Sequence, residues 1–254
     1  LVKSSAASDV YKRQVLKNAY NSLKKEEKQA LNIAAKRIKK FHTHQIPIDL
    51  KYKDNMEVKL GLKHSPIVSA GFYVPGGKAI YPSSVLMNAI PALVAGVERR
   101  VVVSPVSDLH KSSIVLAAAH VADVTEFICM GGAHAIAALA YGTETVTQVN
   151  KIVGPGNAYV AEAKRQISGK IVGTESMFAG PSEICVVADK FTDINQIATS
   201  LVSQAEHDQN SQCILLTKDK KILPKVDLAI KKIQKSLPRK RIANRSLKNH
   251  GINI

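Results

Sequence analysis

Short apolar runs that end at turns, and are followed by stretches with helical spacing, most constrain what this chain can fold into. Ile67–Val74, Val101–Ser104, Thr125–Met130, Lys151–Val153, Ile184–Ala188 and Cys213–Thr217 read as strands. Helical texture follows at about Ser83–Ala95, Asp108–Val121, Ala133–Tyr141, Asn157–Gln166 and Asp193–Glu206. Pro224–Ser236 closes the series, with Pro224 suited to a first helical position. Alternation at this spacing predicts an α/β fold of parallel sheets covered by helices. Ligands in such sheets gather at the carboxyl ends of strands. Upstream, Val15–Phe41 carries Leu16, Ala19, Leu23, Ala30, Ile33, Ala34, Ile38 and Phe41 with lysines between them, which predicts helix.

The chain has 254 residues, 45% of them hydrophobic, enough for one large α/β domain or two small ones. It holds no apolar run of about eighteen residues, so no membrane span is expected. No basic-then-apolar leader is visible. Cys129, Cys185 and Cys213 lie far apart in apolar contexts, which predicts reduced, buried thiols and a cytoplasmic protein. Residues 1–14 lack periodicity and are expected to lie outside the fold as a disordered or foreign leader. The net charge of +16 is unevenly placed: +9 over residues 1–64, −3 over 65–217 and +10 over 218–254. The basic charge thus sits on helical flanks, and aromatics are 5% with no Trp. That pattern favours solvated helices over a nucleic-acid surface, which would interleave a basic stripe with aromatics.

The turns carry the candidate chemistry. Glycine lets backbone N–H groups approach a phosphate or carboxylate without a Cβ in the way. Pro75-Gly76-Gly77, Gly131-Gly132 and Gly154-Pro155-Gly156-Asn157 are placed to do this, although each alone reads more readily as an ordinary tight turn. None matches G-x-G-x-x-G opening a first βαβ unit. Gln204 and His207 stand three apart and are expected to share a helix face, where a neutral amide and an imidazole suit a borderline-soft ion such as Zn²⁺. Two ligands do not fill a tetrahedral site, so others must come from elsewhere. His134 opens a helix behind a glycine turn, where it faces either a ligand or solvent. Ser182 lacks a nucleophile elbow and reads better as a substrate hydrogen-bond donor.

Taken together, these segments resemble the histidinol dehydrogenase family. The matching stretches are Gly71–Gly77, Gly131–Gly142, Lys151–Asn157, Ala179–Glu183 and Ser203–Asp208, in order, from about Val15 to the end. The resemblance implies two similar incomplete Rossmann-like domains of aldehyde-dehydrogenase-like type. The first would be discontinuous, residues 15–72 with 182–254. The second, residues 73–181, would contact NAD. It implies NAD-dependent, zinc-requiring oxidation of L-histidinol through an aldehyde to L-histidine, in a homodimer whose active site takes a ligand from the partner chain.

By position, Gln204 and His207 correspond to zinc ligands that also bind substrate, and Ser182 to a substrate contact. Tyr73 and Asn157 correspond to NAD contacts. His134 stands where the family usually places a cofactor-contacting Gln, so that contact differs here. The Glu–His pair that moves protons, and an Asp and a His completing the zinc shell, are expected beyond Ile254. No catalytic base is therefore expected within these residues, and the chain is expected to be a central fragment, inactive alone. The alternatives are a nucleotide-binding module without catalysis and a basic nucleic-acid-binding protein.

Overall fold

The computed structural model describes residues 10–11, 13–76, 81–106, 113–175 and 182–253. They fall into two compact units, Leu1–Phe178 and Ala179–Ile254. In the first, β1 (Val10–Tyr11) leads into α1 (Arg13–Ser22) and α2 (Lys25–Thr43). A hairpin of β2 (Leu50–Lys53) and β3 (Lys59–Leu62) follows. Then come β4 (Ser69–Tyr73), α3 (Pro82–Val94), β5 (Arg99–Ser104), α4 (Ser113–Val121), β6 (Glu126–Cys129) and α5 (Gly132–Tyr141). The unit closes with β7 (Lys151–Val153), α6 (Ala158–Ile167) and β8 (Gly173–Thr174). The second unit holds β9 (Glu183–Ala188), α7 (Ile194–Ala205), β10 (Gln212–Thr217), α8 (Leu223–Ser236), α9 (Lys240–His250) and β11 (Gly251–Asn253).

The first sheet runs β1-β6-β5-β4-β7-β8. All its pairs are parallel except β1 on β6. From β4 the chain steps one way to β5 and β6, then returns to β7 on the other side and continues to β8. This is the doubly wound order, with its topological switch between β4 and β7. The strands are apolar on both faces because helices cover both. Phe72, Val102 and Phe127 face one core with α3 and α4. Val101, Val103, Ile128 and Ile152 face the other with Ile136 and Leu139 of α5. The packing is close: a Cβ on Gly71 would stand 2.7 Å from Leu139 Cδ1.

The second sheet is β11-β10-β9, all parallel, the first half of the same winding. Ile184, Val186, Ala188, Cys213 and Leu215 alternate inward onto α7 and its neighbours. Their outward neighbours are bare: Val187 is 72% exposed and Leu216 41%. Among the described residues, the helices of this unit thus cover the sheet on one face. Among the described residues no helix is long and apolar enough to cross a membrane.

Several expectations change. The helical stretch Val15–Phe41 is two helices. Lys24 is extended between them, and its N–H donates to Glu27, capping α2. Val10 and Tyr11 pair with Ile128 and Phe127, so part of the supposed leader lies in the sheet. Residues 15–72 lie in the first unit, where Leu16, Leu23 and Leu31 share a core with Leu86 and Leu116. Cys213 is buried as expected, yet Cys185 is exposed because it sits on the bare face of β9.

Candidate functional site

The expected cofactor contacts lie at the carboxyl edge of the first sheet. Tyr73 ends β4 and is 4% exposed. Its phenol oxygen accepts the N–H of Gly132, the first residue of α5, at 3.1 Å. Gly132 has φ +66°, a left-handed value that favours glycine, and a Cβ there would meet no described atom within 4 Å. Among the described residues, space is therefore open beside the start of α5. Gly131, the N-cap residue, has no side chain to cap that helix, so among the described residues its positive dipole end meets only the Tyr73 phenol. His134 lies in its first turn, exposed, with no hydrogen bond among the described residues.

Across the switch, Gly154 ends β7 with φ +116°. A Cβ there would lie 2.2 Å from the Tyr73 carbonyl oxygen, so only glycine lets the two strand ends approach this closely. Asn157 caps α6: its Oδ1 accepts the Val160 N–H at 3.1 Å. The carboxamide oxygen is thereby committed, and the exposed NH₂ is what Asn157 can offer a ligand. Tyr73, His134 and Asn157 thus stand just at or after the carboxyl ends of β4, β6 and β7 of the first sheet. Open space at a helix start and glycines at close approaches suit the pyrophosphate of a dinucleotide. Gly77 of the first turn lies outside the described residues.

Sequence reading missed Lys164. It is buried between Val160 and Ile167 on the inner face of α6, where it donates to the Gly154 carbonyl and to Glu175 at 2.6 Å. The readable signal was a charge on an apolar stripe at helical spacing.

In the second unit, Ser182, Gln204 and His207 collect at the amino edge of the sheet, the opposite end from that expected of an α/β ligand site. Ser182 precedes β9, and its carbonyl accepts the Gln212 N–H at 3.1 Å. Gln204 Nε2 donates to the hydroxyl of the adjacent, fully buried Ser211 at 3.3 Å. That bond leaves Gln204 Oε1 free to ligate. Ser211 is held in turn by Ser246, whose hydroxyl donates to the Ser211 carbonyl at 2.7 Å. His207 does not lie in α7, as the helix face expected from the sequence would require. The helix ends at Ala205, and His207 sits exposed in the following turn. One bond from the His207 N–H to the Gln204 carbonyl, 3.1 Å, keeps the two residues in adjacent turns. Arg239 also holds the His207 carbonyl, at 3.2 Å.

Among the described residues no three His, Cys, Asp or Glu side chains converge to hold a metal. Gln204 and His207 supply two donors, and two do not close a tetrahedral zinc shell. These residues do not by themselves make a zinc site.

Parallel sheets flanked by helices make this an α/β protein whose fold is similar to that of aldehyde dehydrogenases. A propionaldehyde dehydrogenase from Rhodopseudomonas palustris shares the fold at TM-score 0.51, with 12% identity over 87% of this chain and 54% of that one. The family model for histidinol dehydrogenase matches residues 3–254. Histidinol dehydrogenase 1 of Nostoc sp. is 54% identical over 226 residues, 89% of this chain and 52% of its own length. The crystal structure of histidinol dehydrogenase from Elizabethkingia anophelis matches at TM-score 0.89 and 34% identity, covering 97% of this chain and 57% of that one. The chain belongs to the histidinol dehydrogenase family. It spans about half the length of the curated relatives it matches.

Proposed function

We propose that this protein serves the NAD-dependent oxidation of L-histidinol, through the aldehyde, to L-histidine. NAD⁺ would accept a hydride in each of two oxidations. The observation that carries the reading is the set of glycine turns at the strand ends beside the β4–β7 switch, in a chain of this family. There the phenol of Tyr73 is fixed to the first amide of α5, beside a glycine with no described atom within 4 Å of its Cβ position. The helix start offers amides and a positive dipole end to the pyrophosphate. Asn157 offers its NH₂ from the start of α6, and His134 offers one imidazole nitrogen from the first turn of α5.

Substrate would meet Ser182, Gln204 and His207. The Ser182 hydroxyl can donate to a polar substrate group. Ser211 holds the Gln204 amide so that its oxygen is presented outward. Zinc, in this reading, takes Gln204 Oε1 and His207 as two of its ligands, with the rest supplied from outside these residues. No step of the proposed chemistry is routed through it.

A general base must take the hydroxyl proton when hydride leaves, and another must activate water against the aldehyde. In this reading the carboxylate–imidazole pair that does so also comes from outside these residues, and the working enzyme is a cytoplasmic homodimer. The 254 residues then bind cofactor without turning it over. The experiment is NADH formation from L-histidinol and NAD⁺ with Zn²⁺ added. We expect no turnover from this chain alone; a rate on the order of 10 s⁻¹, ordinary for an enzyme, would overturn the assignment of the base.

A further inference from the structure

Lys164 is 1% exposed, on the face of α6 that carries Val160 and Ile167 into the core. Burying an ammonium there costs solvation. Its ion pair with Glu175, a side chain still 26% exposed, adds little stability over an apolar side chain of the same shape. Its geometric effect is definite. The Gly154 carbonyl it holds belongs to the peptide that leads into Pro155, Gly156 and Asn157. Proline brings no N–H to that peptide, so its oxygen is the one group by which it can be held. Gly154 itself is wedged against the Tyr73 carbonyl in a left-handed conformation.

We propose that Lys164 is a positioning residue of the cofactor crevice. Its ammonium fixes the Gly154 peptide, and through it sets where Asn157 stands at the start of α6. The proposal rests on the NAD reading above, and it assigns Lys164 no contact with the cofactor.

The test is Lys164→Met in the full 254-residue chain, with three readouts. Thermal unfolding should move to lower temperature, because removing one partner leaves Glu175 and the Gly154 carbonyl unpaired; exchange and binding are therefore measured where the variant is fully folded. Amide exchange at Val160 and Ala161, whose N–H groups bond to Asn157 Oδ1 and to the Asn157 carbonyl, should quicken roughly ten-fold, with β5 unchanged. NAD⁺ binding by calorimetry should weaken roughly ten-fold, the loss expected for one hydrogen bond from a charged group. Lys164→Gln keeps a donor on a shorter stem and should fall between the two; it provides the comparison should Lys164→Met not fold. Unchanged exchange at Val160 and Ala161 would overturn the proposal. So would altered exchange with unaltered NAD⁺ affinity. A parent chain that takes no NAD⁺ would overturn the cofactor reading itself, while the exchange result still decides whether Lys164 holds the turn.

Discussion

The Tyr73 phenol and the Gly132 amide join the ends of two strands that are not neighbours: β4 and β6 flank β5, and a 3.1 Å hydrogen bond spans the gap at their carboxyl edge. The bond anchors the start of α5 to the strand beside the topological switch. Tyr73→Phe removes the acceptor and leaves the ring buried. Stability should fall by about 1 kcal/mol, and NAD⁺ binding should weaken several-fold. Denaturant unfolding and calorimetry on the variant check both; unchanged affinity would place the phenol outside the cofactor's reach.

Two glycines in the crevice should respond differently to alanine. At Gly154 the new Cβ meets the Tyr73 carbonyl at 2.2 Å with φ +116°, so Gly154→Ala should lose about 2 kcal/mol or more of stability. At Gly132 the Cβ enters open space with φ +66°, so Gly132→Ala should cost about 1 kcal/mol through backbone strain. Its larger effect should be on NAD⁺ affinity, because it occupies space the pyrophosphate would use. Equal stability losses in the two variants would contradict this geometry.

His134 stands exposed in the first turn of α5 with no hydrogen bond among the described residues. A carboxamide there would bring two donors and an acceptor on a flexible stem, against one donor and one acceptor on a rigid ring. His134→Gln should therefore tighten NAD⁺ binding. An identical affinity would mean that the imidazole points away from the cofactor.

The thiols should separate by burial. Cys213 lies in the core and its Sγ donates to the Leu201 carbonyl; burial pushes its pKa up, so less of it is thiolate at any pH below that value. Cys185 is exposed on β9. With iodoacetamide at pH 8, Cys185 should alkylate at least ~10-fold faster than Cys213, which should react only as the unit unfolds. Peptide mass mapping over time measures it; matched rates would show that the second unit is open in solution.

How much of this was legible in the sequence divides by physical cause. Most strands and helices from Ser69 to Ser236 read within a few residues, because apolar runs and helical spacing alternate cleanly there; β8 went unread, and residues 108–112 of the expected helix Asp108–Val121 lie outside the described residues. The β2–β3 hairpin went unread although its signal was present. Leu50 and Tyr52 alternate with Lys51 and Lys53, and pair with Leu62 and Leu60 across a turn in which Asp54 accepts the Met56 and Val58 N–H groups. The turn has no Asn-Gly or Asp-Gly pair to announce it. The same holds for α9, a polar helix whose inner residues Ala243 and Ser246 are too small to show a stripe. At the candidate site, Tyr73 and Asn157 were named through the family resemblance and His134 through the glycine turn before it. Lys164 and Ser211 were missed because they act on the backbone and on another side chain, and no local pattern marks such partners.

The central claim is that the crevice at the β4–β7 switch takes a dinucleotide, and calorimetric titration of NAD⁺ into this chain tests it most directly. The account predicts one site per chain, weakened at least several-fold by Asn157→Ala, whose NH₂ is the group offered to the ligand. That variant should also lose about 1 kcal/mol of stability with the lost α6 cap, so it must be titrated where it is fully folded. No heat of binding at millimolar NAD⁺, or full affinity retained in folded Asn157→Ala, would contradict it.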